Sequence, residues 1–157
     1  MATATALPID TGATALEMAS EIFGSGVTVI SATYSGDANS SGTYSNGDTV
    51  SPFATPGDTG VILSTGNATD FTNNTGSTNT NESASTSTNT ANGVDGDSDF
   101  DSLAGISTYD ASFLEVEFTP LGDTITIDFV LSSEEFPEYI NSQYNDVIGV
   151  WVNGVQA

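Results

Sequence analysis

The sequence predicts a mainly β fold, an antiparallel β-sandwich with one short N-terminal α-helix. Three observations carry this reading. Short apolar runs alternate with polar residues late in the chain, glycine and proline punctuate them at close intervals, and a single early segment follows helical rather than strand spacing. At 157 residues the chain suits one domain with a modest core.

The helical segment is Ala13–Phe23. Ala15, Leu16, Met18, Ala19, Ile22 and Phe23 fall on one face, with Thr14, Glu17 and Glu21 opposite. Asp10 or Thr11 can cap its start, and Gly24 suits its end. Without a basic residue it is read as a core-packing helix rather than a membrane-surface one.

Strands are expected at Val27–Tyr34, Gly60–Ser64, Leu114–Phe118, Ile125–Leu131 and Val147–Val152. Leu114, Val116 and Phe118 alternate with Glu115 and Glu117, and Ile125, Ile127, Phe129 and Leu131 alternate with Thr126 and Asp128. Pro120–Asp123 between them predicts an antiparallel hairpin. Asn153-Gly154 is a second hairpin turn, after which only three residues remain. The domain is therefore expected to be cut short at its C-terminus, leaving an open sheet edge after Val152. A neighbouring copy could add a strand there, with Ala2–Ile9 as the donor.

Between early and late strands, 17 of the 21 residues in 72–92 are Ser, Thr or Asn, a loop with almost no apolar surface to bury. Sequons at Asn39, Asn67, Asn73 and Asn81 are what such composition produces by chance.

Charge excludes most chemistry. The chain carries 21 Asp plus Glu and no Lys, Arg or His, a formal charge of −21. No carboxylate can find a cationic side chain, so each is solvated, accepts hydrogen bonds, or meets an external cation. Nucleic acid is disfavoured as a partner, because nothing here neutralises phosphate. Nucleophilic triads and imidazole or thiolate metal sites are excluded, since Cys is absent too. No apolar run is long enough to insert into a membrane, and Met1–Asp10 lacks the features of a secretory signal. Any export signal is expected outside these residues.

What remains is oxygen chemistry. Asp95, Asp97, Asp99 and Asp101 alternate in Asp95-Gly-Asp-Ser-Asp-Phe-Asp101. Calcium takes six to eight oxygens, which loops of this kind supply. Phe100 and Ile106 stand where an EF-hand requires glycine and a bidentate acid, so any calcium loop here is of another design. Glu134, Glu135 and Asp146 form a second acidic group at the end of a predicted strand, placed to meet the aspartate loop across the top of a sandwich. The surviving enzymatic option is a carboxylate-pair glycosidase using Glu134 or Glu135 with Asp146. Trp151, Tyr139, Tyr144 and Phe136 are candidates for a sugar-binding platform.

Three blocks then stand out: Gly96-Asp-Ser-Asp-Phe-Asp-Ser-Leu-Ala-Gly105, Tyr109-Asp-Ala-Ser-Phe-Leu-Glu-Val-Glu-Phe118, and Ser132-Ser-Glu-Glu-Phe-Pro-Glu-Tyr139 with Asn145-Asp-Val147. Together with Tyr34-Ser-Gly36 and Gly60-Val-Ile-Leu-Ser-Thr-Gly66, this pattern resembles the choice-of-anchor L domain of bacterial surface proteins, over about Thr14 to Ala157. The resemblance implies a secreted or surface-anchored protein, a β-sandwich of jelly-roll-like type, and no catalytic activity. The expectation is a calcium-stabilised structural or adhesive unit of a surface, matrix or filament protein. The rival is a carbohydrate-binding module that takes a glycan or another surface ligand.

Overall fold

The computed structural model describes residues 6–71, 92–133, 139, 140, 142, 144 and 146–157. The Ser/Thr/Asn-rich residues 72–91, and Glu134 and Glu135, lie outside that set.

The first helix, α1, runs Ala15–Ile22. Thr14 opens it through a capping box. Its hydroxyl oxygen accepts from the Glu17 backbone N–H at 3.3 Å, and the Glu17 carboxylate accepts from the Thr14 N–H at 2.8 Å. This replaces the expected cap at Asp10 or Thr11. The reason is local: Thr14-x-x-Glu17 satisfies two of the helix's free N–H groups at once. The end also differs, because Phe23 closes the helix in an extended conformation and no left-handed Gly24 is used. Met18 and Ala19 are the buried positions, while Leu16 is 51 % exposed, so the helix packs by a narrower stripe than its spacing suggests.

Two antiparallel sheets lie against this helix. In one, β1 (Ile9–Asp10), β3 (Ser41–Tyr44) and β4 (Gly60–Leu63) are ordered β1-β3-β4, with Ile9 opposite Tyr44 and Ser41 opposite Leu63. Strand β3 is too polar to show in the apolar pattern, yet Ser41, Gly42 and Tyr44 are buried. Gly42 is required by proximity, because a Cβ there would stand 2.6 Å from the Asp10 carbonyl oxygen. With Ile9–Asp10 used in this sheet, the end of the Ala2–Ile9 segment is already paired within its own chain.

The other sheet pairs β2 (Val27–Ser35) with β5 (Phe113–Pro120), from Val27 opposite Pro120 to Ser35 opposite Phe113, with a bulge at Ile30. The expected hairpin between Leu114–Phe118 and Ile125–Leu131 does not form. Strand β5 takes its partner from the start of the chain, and Phe118 stacks on Phe23 with ring centroids 4.8 Å apart. This long-range pairing offers β5 both a nine-residue ladder partner and the end of α1 as apolar cover.

Two short helices, α2 (Gly47–Val50) and α3 (Ser98–Ala104), and a 3₁₀ turn at Ala68–Phe71 complete the body. The expected strand Val147–Val152 narrows to β6 (Trp151–Val152), which pairs with β7 (Val155–Gln156). Asn153 and Gly154 both take positive φ, 53° and 75°, as a tight hairpin turn demands. The return strand is thus present, and Val152 pairs with Val155.

The protein is therefore β-rich, with small antiparallel sheets and a few helices. Among the described residues these sheets number three.

Candidate functional site

The loop after β2 is the hub of the fold. Asp37 is only 5 % exposed. Its Oδ1 accepts from the Asn39 backbone N–H at 2.9 Å, and its Oδ2 accepts from Asn92 Nδ2 at 3.0 Å. These hydrogen bonds, the Asn39 one foremost, hold the Asp37 carboxyl below the usual range and outweigh its desolvation. Ser40, fully buried, donates its hydroxyl to the Gly66 carbonyl at 2.8 Å, and its own carbonyl accepts from Ser64 N at 2.8 Å and Ser112 Oγ at 3.2 Å. Tyr34 closes the network, donating to the Asp37 carbonyl at 2.8 Å. One loop thus ties β2 to the segment after β4, to Asn92, and to the residue before β5.

Beside it, Val94 and Ala111 exchange backbone hydrogen bonds at 3.1 and 2.9 Å, and Gly96 N donates to Thr108 O at 2.9 Å. This narrow ribbon sets Asp95 against Asp110. The Asp110 backbone N–H donates to Asp95 Oδ1 at 3.0 Å, and Asp110 takes the left-handed conformation at φ 55°. Burial pushes the Asp110 carboxyl up, and the charges of Asp95 and then Asp37 push it further. Three carboxylates therefore share one electrostatic field with no cationic side chain to balance it.

Of this trio, the sequence reading singled out only Asp95. Asp37 sits in an ordinary-looking Gly36-Asp-Ala-Asn39 loop, and Asp110 follows Tyr109 with no acidic neighbour. Their proximity arises from pairing across 73 positions of chain, which spacing does not show.

The remaining predicted ligands are dispersed. Asp97 caps α3, accepting from Asp99 N at 3.0 Å and Phe100 N at 3.3 Å. Asp101 lies on the helix and accepts from Thr108 N at 2.6 Å and Thr108 Oγ1 at 2.8 Å. Asp99 is exposed in the first turn, where the helix dipole favours an acid. Asp97 thus stands at the start of α3, with Asp99 and Asp101 within it, so a helix rather than an open loop sets their directions. Asp146 is exposed and accepts from Ser133 Oγ, whereas Glu134 and Glu135 fall outside the described residues. Among the described residues, no group of three acidic side chains is arranged to hold one metal ion.

Trp151 is drawn partly inward. Its ring meets Phe100 edge-to-face with centroids 5.3 Å apart, and Phe100 in turn lies 5.8 Å from Phe113. Tyr139 and Tyr144 form a second edge-to-face pair at 5.2 Å, with Tyr144 54 % exposed. Two surface hollows of about 280 and 480 Å³ flank β1 and α1, on residues such as Pro8, Tyr44, Leu16 and Glu17. They involve none of the predicted acidic ligands.

The polar groups described above hold loops together in an acidic, β-rich body, a build that suits a surface-protein module. Sequence comparison agrees: the profile of the Choice-of-anchor L domain matches residues 8–157, and the chain belongs to that family. The family is one of surface-associated bacterial proteins, is not a known enzyme family, and implies a secreted or cell-surface protein. Neither the curated proteins nor the solved structures contain a match to it. No helix among the described residues is long and apolar enough to cross a membrane.

Proposed function

We propose that this chain is an extracellular structural or adhesive unit of a bacterial surface, matrix or filament protein, held in shape by calcium. The observation that carries this reading is the ribbon that sets Asp110 against Asp95 in a chain without cationic side chains, where burial first, and then the charges of Asp95 and Asp37, push the Asp110 carboxyl up. A divalent ion relieves such repulsion directly, and its binding energy adds to folding stability when it binds only the folded state. Asp97, Asp99, Asp101, Glu134, Glu135 and Asp146 add to the net negative charge that draws cations to the chain. Thermal unfolding tests it. Excess Ca²⁺ raises the melting temperature above that in EDTA at matched ionic strength, and equal melting temperatures would sink the proposal.

A second reading, carbohydrate binding, is favoured by the exposed ring of Tyr144 beside Tyr139. Aromatic faces of this kind stack on sugar rings. A glycan array separates the two, because a purely structural unit shows no saccharide selectivity.

A further inference from the structure

Beyond β5 the chain does something its sequence argues against. Thr124–Leu131 has the composition of a half-buried strand, yet every residue in it is exposed and none has a ladder partner among the described residues. Ile125, Ile127, Phe129 and Leu131 are 40, 43, 57 and 53 % exposed. Leaving such an alternating apolar segment in water is unfavourable, and its unpaired backbone groups invite strand addition.

The complement of this arm lies in the same chain. Strand β5 is bonded to β2 along one edge only, among the described residues. If Pro120–Asp123 is counted as a four-residue connection, Phe118 falls opposite Ile125, Val116 opposite Ile127, and Leu114 opposite Phe129. The polar positions fall in phase as well, Glu117 opposite Thr126 and Glu115 opposite Asp128. Leu114, Val116 and Phe118 are the half-buried positions of β5, and Glu115 and Glu117 are its exposed ones. A match of both faces over five consecutive pairs specifies a register, since a one-residue slip would set every apolar side chain against a polar one.

The chain does not close this pairing on itself. The Leu121 N–H donates to the Gly26 carbonyl at 2.9 Å, which carries the β2–β5 ladder one residue past Pro120. Leu121, within the stretch a tight reversal would use, is thereby held in the existing sheet. Among the described residues, arm and edge are both open in one molecule, so each copy presents both halves of the pairing.

We propose that Thr124–Leu131 is an exchange arm, adding antiparallel to the free edge of β5 in a second copy of this chain. Exchange is reciprocal, each copy's arm lying on the other's β5, and this reciprocity closes a two-fold dimer where one-way addition would propagate. Glu115 opposite Asp128 places like charges across the new pair, which weakens it. The exchange is therefore reversible, and Asp128→Asn tightens it.

The chain lacks cysteine, so a crosslink can be placed cleanly. In Glu117→Cys/Thr126→Cys, the two sulfurs face each other on the wet side of the exchanged pair, within disulfide reach. Mild oxidation in EDTA and about 0.15 M salt is expected to yield covalent dimers, with peptide mapping placing the bond between position 117 of one chain and 126 of the other. The same bond within one chain, a 126–126 bond, or free thiols overturns the proposal. Ile127→Pro, outside the packed body, is expected to abolish the dimer in light scattering while the circular dichroism spectrum stays unchanged. A dimer that survives Ile127→Pro, or a wild-type chain that is monomeric across micromolar to millimolar concentration, overturns it equally. Because EDTA is present throughout, these outcomes are independent of the calcium proposal.

Discussion

Asn92 reaches back across 55 positions to donate its side-chain amide to Asp37 at 3.0 Å. That bond and the Asn39 N–H bond make Asp37 the polar anchor of the loop joining β2 to β3. Both are stronger when Asp37 is ionised.

Stability should follow that ionisation. The folded-state pKa of Asp37 lies below its ordinary value of 3.8. Its contribution is complete above 3.8 and is lost as pH falls through the folded value. Asp37→Ala is expected to lower the melting temperature by several degrees at pH 7 and by progressively less under acid. Melting curves from pH 7 to pH 2 check this, and a penalty that persists undiminished at pH 2 contradicts it.

Asp110 should behave with the opposite sign. Its folded pKa is raised above 3.8, so its ionisation opposes folding. The associated stability is present below 3.8 and is lost as pH rises through the folded value. Asp110→Asn keeps the left-handed backbone, which Asn tolerates, and removes the repulsion. In EDTA at pH 7 the variant is expected to be more stable by about 0.5 kcal/mol, the scale of one relieved like-charge contact. In Ca²⁺ it is expected to gain less than the wild type. Denaturant titrations in both conditions check the pair of signs.

Gly42→Ala tests the close approach of β1 to β3. A methyl group at 2.6 Å from the Asp10 carbonyl forces the strands apart, so the variant should lose about 1–3 kcal/mol. Hydrogen exchange should show faster exchange of the Tyr44 amide, with the β2–β5 ladder unaffected.

Trp151 is the only tryptophan, which makes its packing on Phe100 directly observable. Phe100→Ala should shift its emission to the red and cost about 3 kcal/mol or less, since Phe100 is only partly buried. An unshifted spectrum would show that the two rings do not meet in solution.

Much of this was legible in the residues. Asn153-Gly154 announces its hairpin because few residues other than these adopt two successive positive φ angles. The helix start lies at Thr14 rather than at the expected Asp10 or Thr11, although Thr14-x-x-Glu17 carries the capping-box signal within four residues. Strand β3 was hidden, because Ser41-Gly-Thr-Tyr44 is buried for its fit beneath β1 rather than for its hydrophobicity. The aspartate loop was misread in shape, since Asp97 caps a helix as readily as it could ligate an ion.

The family, the acidity that rules out most catalysis, and the existence of α1, β2 and β5 follow from composition, motif and short-range periodicity alone. Those are properties of a few neighbouring residues, and no partner is needed to express them. Which strand β5 chose, and which aspartates crowd Asp110, were decided only when distant segments met. A strand's alternation says that one face is to be buried, but not against what. Val27–Ser35, reinforced by Phe23 on Phe118, became the ladder partner of β5 in place of the adjacent Ile125–Leu131.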